Sequence, residues 1–95
     1  SLSSRYYIRS NRESGDGRFD LQLEPKEKDL PGVIMEFKAA RADEQEQLSA
    51  LAENALAQIE ARDYEKELSE RGVESVVKYG IAFAGKNVEI RMREH

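Results

Sequence analysis

Residues 33–39 read Val33-Ile-Met-Glu-Phe-Lys-Ala39, a nearly continuous apolar run broken only by one carboxylate and one ammonium. A run of this length and apolarity predicts a strand covered on both faces, in the middle of a sheet. Glu36 and Lys38 are two apart, so on a strand they project from the same face. Charges placed there are costly to bury unless they are paired, hydrated or bound to something. That cost makes the run informative about function as well as fold.

Upstream, Arg18 to Glu24 (RFDLQLE) alternates cleanly, with Phe19, Leu21 and Leu23 on one side and Asp20, Gln22 and Glu24 on the other. Arg5 to Asn11 (RYYIRSN) is aromatic and β-branched enough for a strand, and Glu13 to Gly17 (ESGDG) makes a turn between the two. Pro25 to Gly32 is a polar loop. Downstream, Asp43 opens a helix with Glu46 as its capping-box partner. Leu48, Leu51, Ala52, Ala55, Leu56 and Ile59 form one apolar stripe. The stripe weakens near Arg62 and Asp63, resumes at Tyr64 and Leu68, and stops at Gly72, a natural C-terminal cap. Ser75 to Ala84 returns to strand character; Gly85-Lys86 makes a turn, and Val88, Ile90 and Met92 alternate with charged residues in a last strand. The order β-β-β-α-β-β predicts an α/β (α+β) sandwich built on a mixed sheet.

The chain has 95 residues, enough for a single domain with a modest core. Ser1–Ser4 carry no pattern of their own and read as a remnant, as does the terminal His95. The net charge is −4, with 36% charged residues and no cysteine. Disulfides and thiolate metal sites are excluded, and the lone histidine gives no basis for a zinc site. No apolar run is long enough to span a bilayer and none reads as a signal peptide, so a soluble, cytoplasmic domain without membrane contact is expected. The acidity is concentrated: residues 42–75 hold ten Asp/Glu against three Lys/Arg, whereas residues 1–41 hold seven against eight and residues 76–95 two against four. If the acidic segment is a helix with a solvated outer face, the remaining surface can still meet phosphate.

If the second and third strands pair as a hairpin, Asp20 approaches Glu36. Two converging carboxylates make a hard oxygen site suited to Mg²⁺ or Mn²⁺, with the Phe37 backbone carbonyl as a further ligand. Lys38 is then placed to orient or deprotonate the attacking water. The Glu-x-Lys spacing alone carries little weight, because Glu24-Pro25-Lys26 repeats it at a loop without apolar context. On the residues alone, a structural ion pair and a functional site both stay open.

Four blocks in order, NRESGDGRFDLQLEP, GVIMEFKAAR, ALAQIEARDY and KYGIAFAGKNVEI, resemble the PD-(D/E)XK nuclease-superfamily domain found at the C-terminus of prokaryotic AAA-ATPase-like proteins. The resemblance runs from about Asn11 to Ile90. It implies a restriction-endonuclease-like fold in which Asp20 is the first acidic residue of the motif and Glu36-Phe37-Lys38 its (D/E)XK element. Gln58 is by the same resemblance the helix glutamine, and Tyr64 its accompanying tyrosine. Phe19 stands where the motif's name has proline. The helix that normally precedes the first strand is expected to be missing, leaving residues 1–95 as one domain truncated at its N-terminus.

The resemblance implies a Mg²⁺- or Mn²⁺-dependent nuclease acting on nucleic acid, DNA in the first place, beside an ATPase-like region. Arg12 and Arg18, with Tyr64, are candidate nucleic-acid contacts. Two rivals stand next to this: a catalytically idle nuclease-fold module that acts by recognition, and a fragment that self-associates through the sheet face the missing helix would have covered. Glu13 reads as holding its turn, and Tyr6, Tyr7, Tyr79 and Phe83 as sheet packing.

Overall fold

A computed structural model describes the backbone of residues 2–13, 18–62 and 64–94, and the side chains of these except residues 2, 3, 11–13, 18–20 and 45. After a single helical turn, α1 (Leu2–Arg5), come strands β1 (Tyr6–Glu13), β2 (Arg18–Pro25) and β3 (Gly32–Ala39). A 3-10 segment (Ala42–Gln47) leads into α2 (Leu48–Arg62) and α3 (Tyr64–Glu70), followed by β4 (Val76–Ala84) and β5 (Asn87–Glu94). The first residues, expected to be patternless, therefore include a helical turn. The five strands form one sheet in sequence order. All neighbours are antiparallel except β3 and β4, which are parallel because the chain returns through α2 and α3 between them.

The run that opens the sequence argument is β3, the central strand. Only one of its faces is well covered. Gly32, Ile34 and Glu36 are buried beneath the helices, whereas Val33, Met35 and Phe37 on the outer face are half-buried. The expectation of cover on both faces is thus corrected: among the described residues no helix lies over the outer face. That face continues onto β1 and β5, where Ile8, Val88, Ile90 and Met92 are 47–55% exposed. Tyr7 is also exposed, with the Lys26 ammonium over its ring, rather than packed in the sheet.

The helix begins later than the sequence indicates. Residues 42–47 are 3-10 with a kink at Glu44 (φ −108°, ψ 23°), and the α-helix proper starts at Leu48. The back-bond of the first turn is made by Glu44, whose Oε1 accepts from the Arg41 backbone N–H at 3.2 Å. Short-range side-chain bonding of this kind competes with regular helix. The other end matches expectation. Gly72 has φ +92°, its N–H bonds to the Ser69 carbonyl, and the Val73 N–H bonds to the Leu68 carbonyl. This is a Schellman cap, completed by the shared core of Leu68 and Val73.

Two apolar clusters join the helices to the sheet. Ile34, Ile59, Leu68, Val73 and Val76, with Tyr64 against them, lie at one end; Leu48, Ala52, Ala82 and Ala84 lie at the other. The second cluster is mostly alanine, so α2 sits close to the strands. Gly80 marks the closest approach: a Cβ there would lie 2.3 Å from the Ala52 carbonyl oxygen and 2.6 Å from the Leu56 nitrogen.

Most described carboxylates of the acidic segment are exposed, and three of them reach cations of the sheet. Glu53 pairs with Arg91 at 3.1 Å, Glu60 pairs with Arg93, and Glu65 pairs with Lys78 at 3.2 Å. Lys78 of β4 and Arg91 and Arg93 of β5 thus offset part of the acidic charge of the helices across the layer.

Candidate active site

Between the two apolar clusters, the helix-facing side of β3 and β4 carries a polar row. Register sets Ile34 beside Lys78, Glu36 beside Gly80, and Lys38 beside Ala82. Glu36 is fully buried, and Lys38, two residues on along the same face, is half-buried. The sequence places these charges here, and the helix that docks at Gly80 closes over them.

Register also sets Asp20 of β2 directly opposite Glu36 of β3. Directly opposed residues of an antiparallel pair share a face of the sheet, with Cβ atoms about 4.5–5.5 Å apart. The hairpin pairing expected of these strands is therefore present. The Asp20 side chain lies outside the described residues, as do those of Arg12 and Arg18. Their backbones sit in the β1–β2 pair, Arg12 opposite Phe19 and Arg18 opposite Glu13. Phe37 pairs with Phe19 on one side and Ile81 on the other, so its backbone runs through the middle of the sheet.

The helix residues come to this row from above. Arg62 closes α2 and donates from Nη1 to Glu36 Oε1 at 3.0 Å, with the Tyr64 hydroxyl accepting from the same nitrogen at 3.4 Å. Gln58 is half-buried and four residues before Arg62, on the same helix face. Tyr64 packs on the Ile34 cluster and forms the wall of the site. Its ring is therefore tied into the core rather than presented as an open stacking surface.

Three features escaped the sequence reading. Arg62 was visible only as the place where the apolar stripe weakens; its spacing of four from Gln58 is the signal that would have found it. Lys78 is 1% exposed and held by Glu65, yet it sits in a strand that reads as ordinary. Glu24, dismissed as part of an accidental triplet at a loop, is the last carboxylate of β2 and is 6% exposed. Arg71 donates to it at 2.9 Å and Lys28 at 3.0 Å, with Arg9 at 3.5 Å. Burial pushes the Glu24 carboxyl up, but hydrogen bonds from Lys28 and Arg71 and their positive charge outweigh it, leaving the pKa below its ordinary value. This is a structural network, remote in register from Asp20. Between the two acidic positions on β2, Gln22 has a buried Nε2 with no hydrogen-bond partner among the described residues.

Over residues 1–93 the sequence matches the family model of the PD-(D/E)XK nuclease superfamily. The chain belongs to that superfamily. Neither the curated proteins nor the solved structures compared with it gave a significant match. Membership agrees with the mixed five-stranded sheet and its helices. PD-(D/E)XK nucleases generally use divalent metals such as Mg²⁺. The donor chemistry here fits one: two opposed carboxylate positions, all-oxygen, beside an ammonium. Among the described residues no cluster of three or more His, Cys, Asp or Glu is present. No helix among the described residues is long and apolar enough to cross a membrane.

Proposed function

We propose that this chain is the catalytic unit of a Mg²⁺- or Mn²⁺-dependent nuclease that hydrolyses nucleic-acid phosphodiester bonds. The observation that carries this reading is the direct opposition of Asp20 and Glu36 across β2 and β3, inside a chain of the PD-(D/E)XK superfamily. Asp20 and Glu36 would hold the ion, with the Phe37 carbonyl as a candidate further ligand. A bound divalent ion supplies charge to offset the negative charge developing on the phosphate. Lys38, on the same face as Glu36 and partly open to solvent, would hold and orient the attacking water with its ammonium. Gln58, held on the helix above, orients the site. Arg12 and Arg18 supply phosphate contacts, and the substrate is DNA in an assembly with an ATPase-like region.

Cleavage of plasmid and single-stranded DNA with Mg²⁺ or Mn²⁺ tests the mechanism, comparing the wild type with Lys38→Ala. Loss of cleavage with retained fold supports it; equal cleavage by the two proteins sinks it. A second reading, an idle recognition module, draws on the Arg62 contact, because Glu36 already has a countercharge without metal. Failure to take up Mn²⁺ at millimolar concentration would favour that reading. Pairing of two copies through the half-exposed outer sheet face is a separate proposal, supported by its row of apolar side chains. Light scattering that shows a strict monomer rules it out.

A further inference from the structure

Two cations from different elements reach the buried polar row, and they are held differently. Lys78 is enclosed, 1% exposed, with its ammonium on Glu65. Arg62 is open on one side: its side chain is 29% exposed, while that of its partner Glu36 is 1% exposed. The carboxylate therefore cannot leave the core, but the guanidinium can leave the carboxylate. A divalent cation arriving at Glu36 brings like charge to within a few ångströms of Arg62, and that repulsion acts in a partly desolvated place where it is weakly screened. The guanidinium that yields is a planar donor fork suited to a phosphate oxygen pair. It would be released at the mouth of the same site.

We propose that Arg62 is the exchangeable cation of the site: it neutralises Glu36 while metal is absent, gives up the carboxylate when a divalent ion binds, and then grips a phosphate of the nucleic-acid backbone. This rests on the assignment of Glu36 as a metal ligand. Arg62 and the ion compete for one carboxylate, so removing the guanidinium strengthens metal binding and weakens phosphate binding. A merely structural arginine would do neither in that combination.

Mn²⁺ binding, measured by electron paramagnetic resonance on the full chain, compares the wild type with Arg62→Gln and Glu36→Gln. The binding of a short single-stranded oligonucleotide in Ca²⁺ is measured beside it. The expected result is several-fold tighter Mn²⁺ binding by Arg62→Gln, together with several-fold weaker oligonucleotide binding. Glu36→Gln should lose Mn²⁺. If Mn²⁺ binding depends on Glu36 but either Arg62 effect is absent, the exchange is overturned and the metal assignment stands. If Glu36→Gln binds Mn²⁺ as the wild type does, the metal assignment fails and the exchange with it. Should Arg62→Gln not fold, by circular dichroism, the wild type answers the same question. Titration with Mg²⁺ then shifts the Arg62 Nε–Hε signal, assigned through Arg62→Lys. A signal unmoved at saturating Mg²⁺ overturns the exchange.

Discussion

Glu36 and Gly80 are direct partners across the parallel pair of β3 and β4, so the buried carboxylate stands beside the point where α2 presses on the sheet. A side chain at position 80 would meet the backbone of Ala52 and Leu56, not a flexible group that can turn away. Gly80→Ala must therefore lift the helix off the strands. Overpacking of this kind costs about 1–3 kcal/mol, and contact with backbone puts this site at the upper end. Urea denaturation reads the loss directly. An unchanged midpoint would show that α2 does not dock as described.

Glu24 makes stability depend on pH in a definite direction. Its folded pKa lies below the ordinary 4.5 because the Lys28 and Arg71 contacts outweigh burial. A depressed carboxylate pKa contributes stability that is fully present above the unfolded value and is lost as pH falls through the folded one. The chain should thus lose stability below about pH 4.5, and Glu24→Gln should flatten that dependence. Urea midpoints between pH 7 and pH 3 check it. A variant whose acid limb matches that of the wild type would exclude Glu24 as a source.

Lys78 and Glu65 should respond asymmetrically to substitution. Removing Glu65 leaves an ammonium in the core beside Ile34 and Gly80, and Glu65→Ala is expected to cost about 2–3 kcal/mol. Lys78→Met removes the buried charge at similar volume and leaves the Glu65 carboxylate, a third exposed, to water, so it should be close to neutral. Equilibrium denaturation of both variants decides. Equal losses would mean that the pair is not the reason Lys78 is tolerated where it is.

These ion pairs also mark what sequence could and could not reveal. Alternation in RFDLQLE, the apolar run around Glu36 and the stripe from Leu48 to Ile59 are local patterns, and the elements they predict are present. The turn of the chain at Gly72 was equally local. Glu24 with Arg71, and Glu36 with Arg62, join residues 47 and 26 positions apart. No period in the sequence brings such partners together, so Glu24 looked like a loop residue and Arg62 like the frayed end of a stripe. The outer sheet face shows the converse. Val33, Met35 and Phe37 read as buried because they are apolar, whereas burial depends on what lies over them. The approach of Asp20 to Glu36 was legible only on the condition that the two strands pair as a hairpin, and they do.

The central claim is that Asp20 and Glu36 jointly hold a divalent ion. Crystals soaked in Mn²⁺ and measured at the manganese absorption edge test it most directly. The account predicts one anomalous peak between the two carboxylates, with the Arg62 guanidinium drawn away from Glu36. Absence of a peak there at millimolar Mn²⁺, with Arg62 still on Glu36, would contradict it.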